Sequence, residues 1–237
     1  DGTREPWNAD YINRSIERET NGLPDPIAKV IQIANDTRLT VYDGITTDEM
    51  DQATINASIQ NIKDDPDFDK IGTRLLLKTI YKKVVGWYNS DDRSGLEAKH
   101  RESFIKFIEE GVVGGRLHPD MIEKFDLPRL SKALNLERDE LFLYSGLDGL
   151  MNRYGMKDQD QKPLETPQYI FMRIAMGLSY NEVDPTAWAI RFYDKMSRHE
   201  YIAGGSTNLG AGTVRSSLSN CFLLEIHDDM EHIAKSV

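Results

Sequence analysis

The sequence predicts a mainly α fold, on three observations. Apolar residues recur at helical spacing along most of the chain. Acidic or hydroxyl residues followed by proline mark helix starts at Asp25-Pro26, Thr166-Pro167 and Asp184-Pro185. A short apolar run without that spacing, Phe222 to Ile226, falls near the C-terminal end and reads as a buried strand with Cys221 at its start.

In chain order, Asn8 or Asp10 is placed to cap a first helix carrying Tyr11, Ile12 and Ile16. Asp25-Pro26 supplies a cap and first-turn proline for a second, through Ile27, Val30, Ile31 and Ala34. Thr46-Thr47-Asp48-Glu49 starts a third, with Met50, Ala53 and Ala57 on one row and Ile55, Ile59 and Ile62 on another. After the polar break Asp64–Asp69, a fourth runs through Ile71, Leu75 and Ile80, with Lys82-Lys83 at the end where the dipole favours cations. Trp87–Leu96 is polar and turn-rich, a junction. Helical periodicity resumes at Glu97 and breaks at Gly111–Gly115; short helices follow near Asp120–Phe125 and Leu127–Leu134. Glu140–Met151 fits a helix or an extended piece equally well. Thr166-Pro167 opens a helix with Ile170, Ile174 and Leu178 on one face, and Asp184-Pro185 another with Trp188, Phe192 and Met196.

Composition narrows the function classes. The length suits one large or two smaller domains, and a net charge of −10 argues against a nucleic-acid surface, which needs a basic footprint. A single cysteine excludes an intrachain disulfide and a multi-thiolate metal centre, and the histidines show no ligand spacing, so no metal site is expected. No apolar run has the length of a membrane span and no signal peptide is evident, so a reducing, cytoplasmic setting without a membrane is expected. The chain starts at Asp1 rather than Met, which reads as a processed or excerpted piece.

Four features could carry chemistry. Gly204–Ser219 is a polar Gly/Ser/Thr stretch whose N–H groups and hydroxyls could cradle a phosphate or simply form a surface loop; it is neither GxxxxGK[ST] nor GxGxxG. Cys221 is a thiol of ordinary pKa about 8.5, a hydrogen or proton donor or else a small buried residue. Asp228-Asp229-Met230-Glu231 has helix-start chemistry, with Asp228 as N-cap and Glu231 at the capping-box position; the same start could meet a nucleotide. Glu5, Asn8, Thr47 and Lys82 would matter only if they converge in space.

Two separated stretches resemble one family. Glu165-Thr166-Pro167-Gln168, Phe171-Met172-Arg173-Ile174-Ala175 and Tyr193-Asp194-Lys195-Met196-Ser197 are similar to the ETPQ…FMRVA…Y..MS segment of ribonucleotide reductase large (catalytic) subunits. Ala211-Gly212-Thr213, Leu218-Ser219-Asn220-Cys221-Phe222-Leu223 and Asp228-Asp229-Met230-Glu231-His232-Ile233 follow in order, like the family's AGT…LSSCFL…DSxExI signature. Asp1-Gly2, Tyr42-Asp43-Gly44-Ile45-Thr46-Thr47 and Arg74–Lys83 resemble the KRDG turn, YDGI.T element and last helix of the ATP-cone regulatory module.

The resemblance implies an ATP-cone over residues 1–88, a helical domain over 89–200 and, over 201–237, the first strand of a ten-stranded α/β barrel. It implies reduction of ribonucleotides to deoxyribonucleotides by radical chemistry, with Cys221 one of two redox-active thiols. The second thiol and the radical-bearing cysteine fall later in the family's barrel, so this chain alone is not expected to turn over. Substrate would lie near Ser206, Thr207, Ser219 and Asn220, where the family's TPT is Gly205-Ser206-Thr207 and a family serine is Asn220. Asp228, Asp229 and Met230 match the specificity site for a deoxynucleotide effector, and Glu5, Asn8, Thr47 and Lys82 match cone positions that hold ATP or dATP. The cone's preceding Lys-Arg pair is missing, and Tyr11 replaces a family lysine.

The implied partners are nucleotide substrates, a second copy of the subunit, thioredoxin or glutaredoxin, and a radical source. That source is a metal-containing small subunit or adenosylcobalamin; the resemblance leaves it open, along with diphosphate versus triphosphate substrate. The alternative is a non-catalytic nucleotide-sensing protein built on an ATP-cone. Regulators of that kind resemble a cone joined to a zinc ribbon, and paired cysteines are missing here.

Overall fold

The computed structural model describes residues 9–88, 93–221 and 223–236, and the fold over them is helical. Four helices come first: α1 (Ala9–Glu19), α2 (Pro26–Arg38), α3 (Thr47–Gln60) and α4 (Asp67–Val84). Their apolar rows meet in one core of Ile12, Ile16, Val30, Ile33, Ile55, Phe68, Ile71 and Leu75. The helix starts follow from local chemistry. Thr46 accepts the Glu49 N–H while Glu49 accepts from the Thr46 backbone, a complete capping box. Asp25 departs from expectation: its backbone is left-handed (φ 45°, ψ 51°) and its side chain makes no cap bond, so α2 starts on the proline alone. An N-cap bond needs an extended backbone at that position.

The second body holds α5 (Arg93–Val113), α6 (Asp120–Glu123), α7 (Leu127–Ala133), a 3-10 turn (Leu136–Leu141), α8 (Tyr144–Arg153), α9 (Pro167–Ser179), α10 (Pro185–Ser197) and α11 (Gly205–Gly210). The stretch 140–151, open between helix and extended chain, resolves as the end of the 3-10 turn followed by α8. Its core includes Phe104, Ile108, Leu117, Leu130, Leu147, Tyr169 and Met172, with Leu77, Ile80 and Tyr81 from the far end of α4. One helix thus belongs to both cores.

α9 is the central element. Every residue from Pro167 to Ser179 is buried except Leu178, so its single predicted core face becomes a helix enclosed on all sides, and Leu178 is only half-buried. α10 buries Ala189, Tyr193 and Met196 while Trp188 and Phe192 flank that row, a small rotation from the predicted face. Thr166 and Asp184 cap the two helices as their sequences indicate, accepting from the Tyr169 and Ala187 N–H groups.

The C-terminal stretch corrects two expectations. The polar loop Gly204–Ser219 is helical in its first part, α11, because Thr207 and Asn208 are buried against α9. The expected buried strand does not form: among the described residues there is no strand, only isolated bridges Leu117–Thr213 and Lys157–Pro163. Leu223, Leu224 and Ile226 are exposed, and Phe222 lies outside the described residues. A strand is held by a neighbour that takes up its N–H and C=O groups, and none of the described residues does so. A last helix, α12 (Met230–Ser236), follows.

Candidate functional site

Three regions carry the candidate residues. In the first body, α1 and α4 run antiparallel. The Arg74 guanidinium donates to the Glu19 carbonyl at 2.9 Å, and one turn later the Lys78 ammonium donates to the Ser15 hydroxyl. The next turn of α4, at Lys82, therefore faces the first turn of α1. Lys82 also reaches α3, with its ammonium 3.1 Å from Asp51 Oδ2 and 3.7 Å from Asp48 Oδ1. Lys83 lies 3.5 Å from the other Asp48 oxygen. Thr47, exposed, is the first residue of α3 and adjoins Asp48. The fold thus brings Thr47 and Lys82 to one end of the module, where the N-terminus of α3 meets the C-terminus of α4. Glu5 and Asn8 lie outside the described residues.

The chemistry of that end suits an anion. α3 presents unpaired N–H groups there, and Lys82 and Lys83 stand beside it with carboxylates as their present partners. A groove of about 450 Å³ between α1 and α2, lined by Asn13, Glu17, Ile27, Ile31, Asn35 and Arg38, contains none of these residues.

The second region is built on α9. Arg173 and Glu165 are both fully buried and paired, Nε to Oε1 at 2.6 Å. Arg173 also donates to the carbonyls of Ala211 at 2.8 Å, Asn208 at 3.2 Å and Tyr154 at 3.3 Å. α11 is thereby tied to α9 by its C-terminal carbonyls. Its other end receives the returning chain: the Ser206 N–H donates to Asn220 Oδ1 at 2.8 Å, and the Thr207 hydroxyl to the Leu218 carbonyl at 3.1 Å. Ser206, Thr207 and Asn220 are therefore brought together, with Ser219 and Cys221 exposed on either side of Asn220. Cys221 itself is exposed rather than buried in a strand.

Asp228, Asp229 and Met230 are exposed at the start of α12, and the cap differs from the predicted one. Asp229, not Asp228, accepts the N–H groups of Glu231 at 3.3 Å and His232 at 3.1 Å. The helix begins at Met230, one residue later than the capping-box spacing requires, which moves the cap to Asp229.

A further polar set went unnoticed in the sequence as chemistry. Asp139 accepts from the Tyr81 hydroxyl and from Gln168 Nε2, Gln168 accepts from Tyr193, and His100 is 2.8 Å from the Thr166 hydroxyl. All of these side chains are buried. Burial pushes Tyr193 up to about 12 and Tyr169 further still, so both phenols remain protonated donors. The signal available beforehand was two polar residues, Gln168 and Arg173, within an otherwise mostly apolar helical stretch, 167–176.

A four-helix module joined through a shared helix to a second helical body is the class that the fold defines. The ATP cone domain matches residues 1–83, and the all-alpha domain of ribonucleotide reductase matches residues 140–216. The chain belongs to the ribonucleotide reductase large-subunit family. It is 38% identical over 196 residues to the ribonucleoside-diphosphate reductase subunit alpha of Chlamydia muridarum, covering 83% of this chain and 18% of that protein. It is 32% identical over 236 residues to the Helicobacter pylori subunit alpha, covering 99% of this chain and 28% of the relative. The Arabidopsis thaliana large subunit is 26% identical over 239 residues, covering 97% and 27%. The chain thus spans less than a third of the length of these relatives. Among the described residues no helix is long and apolar enough to cross a membrane, and no group of three or more His, Cys, Asp or Glu could hold a metal ion.

Proposed function

We propose that this chain supplies the effector-sensing module and part of the substrate site of a subunit that reduces ribonucleotides to deoxyribonucleotides. The module is residues 1–88, the helical domain 89–200, and 201–237 leads into the catalytic barrel. The observation that carries the reading is the return of the chain onto α11, where the side chain of Asn220, the residue before Cys221, meets the Ser206 N–H. Substrate phosphate binds around Ser206, Thr207, Ser219 and Asn220. Cys221 and a second thiol outside this sequence reduce C2′: the two thiols become a disulfide and the 2′-hydroxyl leaves as water. The initiating radical comes from outside this chain, and thioredoxin or glutaredoxin returns the disulfide to thiols. The dimer of the full-length subunit places a deoxynucleotide effector at Asp228, Asp229 and Met230.

In the cone, ATP or dATP is held by Lys82 and Thr47, with Glu5 and Asn8 completing the set. Titration calorimetry with ATP and dATP tests this half, and Lys82→Ala should weaken binding by about tenfold or more, the loss of one charge-assisted phosphate contact. Absence of heat with either nucleotide, with the Lys-Arg pair restored ahead of Asp1, would remove the cone site. In the full-length subunit, Cys221→Ser should abolish multiple-turnover reduction and leave effector binding intact; normal turnover would take Cys221 out of the mechanism. A purely regulatory protein is disfavoured by the match of residues 140–216 to the reductase all-alpha domain.

A further inference from the structure

We infer that Arg173 is a positioning residue for the substrate-phosphate segment, acting on Ser206, Thr207 and Asn220 through α11; the inference rests on the substrate reading above. Arg173 and Glu165 have no exposed surface, and the guanidinium donates through all three nitrogens. Two of its acceptors, the carbonyls of Asn208 and Ala211, close α11 at its C-terminal end, where helix carbonyls lack partners and a cation is favoured. Glu165 is fixed in turn, since its Oε2 accepts the Met156 N–H at 2.7 Å.

The turn after α11 packs closely on α9. A Cβ on Gly212 would fall 2.8 Å from Arg173 Cγ, so the turn after α11 lies directly on the arginine stem. From α11 the constraint passes to the returning chain through Thr207 to Leu218 and Ser206 to Asn220. Moving α11 therefore moves the neighbours of Cys221 as well.

A buried ion pair is a poor way to gain stability, because desolvation offsets much of its attraction and an apolar pair of similar volume often does as well. What the arginine adds is direction. Its planar fork fixes several acceptors at set angles, which a lysine ammonium with the same charge does not. Exact placement matters to α11 because Ser206 and Thr207 sit one turn from the carbonyls that Arg173 holds.

The test is steady-state kinetics on the full-length subunit with its radical source. Arg173→Lys should raise the KM for ribonucleotide about tenfold while kcat stays within about twofold, the pattern of lost uniform binding. A fold-only role predicts the reverse, a lower kcat from fewer intact sites at unchanged KM, and that result would overturn the inference. Glu165→Gln, nearly isosteric, keeps the test decisive if Arg173→Lys does not fold: KM should rise in the same direction, and an unchanged KM also overturns it. The double variant Ser206→Ala, Thr207→Val separates the two levels. If it raises KM while Arg173→Lys and Glu165→Gln do not, only the positioning role fails. If it leaves KM unchanged, the substrate reading fails and the positioning role with it.

Discussion

Glu49 and Asp65 show how single carboxylates set the ends of helices in the cone. The Glu49 carboxylate accepts from the Thr46 N–H at 2.9 Å, the Thr46 hydroxyl at 2.8 Å and the Tyr42 hydroxyl at 2.9 Å. Asp65 accepts the Asp67 N–H at 2.9 Å and pairs with buried Lys29 at 2.9 Å. Backbone hydrogen bonds, from Thr46 in one case and Asp67 in the other, are the main reason both carboxyls are held below their ordinary values. A depressed carboxyl pKa contributes stability that is complete above the unfolded values, about 4.3 for Glu and 3.9 for Asp, and is lost as pH falls through the folded values. The expected outcome is a urea midpoint that falls between pH 7 and pH 3.5, with a shallower fall in the Glu49→Gln, Asp65→Asn variant. Equal slopes for the two proteins would show that other groups govern the acid limb. The helix start at Thr46–Glu49 was legible beforehand, since it is read from four consecutive residues, whereas the Asp65–Lys29 pair joins residues far apart in the chain.

At the scale of elements, the contact between α9 and the turn after α11 is made backbone to backbone. A Cβ added at Gly177 would stand 2.2 Å from the Gly212 nitrogen and 2.6 Å from the Ala211 carbonyl carbon. Neither atom is the end of a flexible side chain, so Gly177→Ala forces the two elements apart and should cost about 1–3 kcal/mol. Gly149 on α8 is the control: nothing lies within 4 Å of its Cβ position, and Gly149→Ala should be neutral or stabilising by up to about 1 kcal/mol. Chemical denaturation of the two variants checks both, and equal midpoints would mean that α9 and α11 are not in fixed contact. The sequence showed where α9 begins and that it is apolar, but not that it is enclosed. Glu165, Gln168 and Arg173 read as surface by type, and only the partners that satisfy them, Glu165 and Arg173 for each other and Asp139 for Gln168, place them inside. The described part of the apolar run, 223–226, failed in the opposite direction: its composition suits a strand, but strand formation depends on a neighbour rather than on the run itself.

At the scale of the molecule, the two cores are joined by a polar seam as well as by α4. Arg74 on α4 lies 3.0 Å from Glu140 of the second body while also holding the Glu19 and Asn21 carbonyls of the first. Asp69, in the first turn of α4, accepts the Tyr144 N–H at 2.8 Å. Tyr81 passes its hydroxyl proton toward Asp139, which Gln168 of α9 also contacts, so the last turn of the cone is hydrogen-bonded to the helix that carries Arg173. Ile71 and Leu75 pack in one core, and Leu77, Ile80 and Tyr81 in the other, so neither core can melt without fraying the helix they share. The chain should therefore unfold in one calorimetric transition rather than two. Tyr81→Phe keeps the ring and removes one hydrogen bond to a buried carboxyl group, a loss of about 2 kcal/mol. For a chain of this length that lowers Tm by about 4–8 °C, still as a single transition. Two transitions in the unsubstituted chain would mean that the cone is only tethered. Cooperative unfolding with the expected fall is the outcome if Tyr81 couples the cone helices to α9 through Asp139.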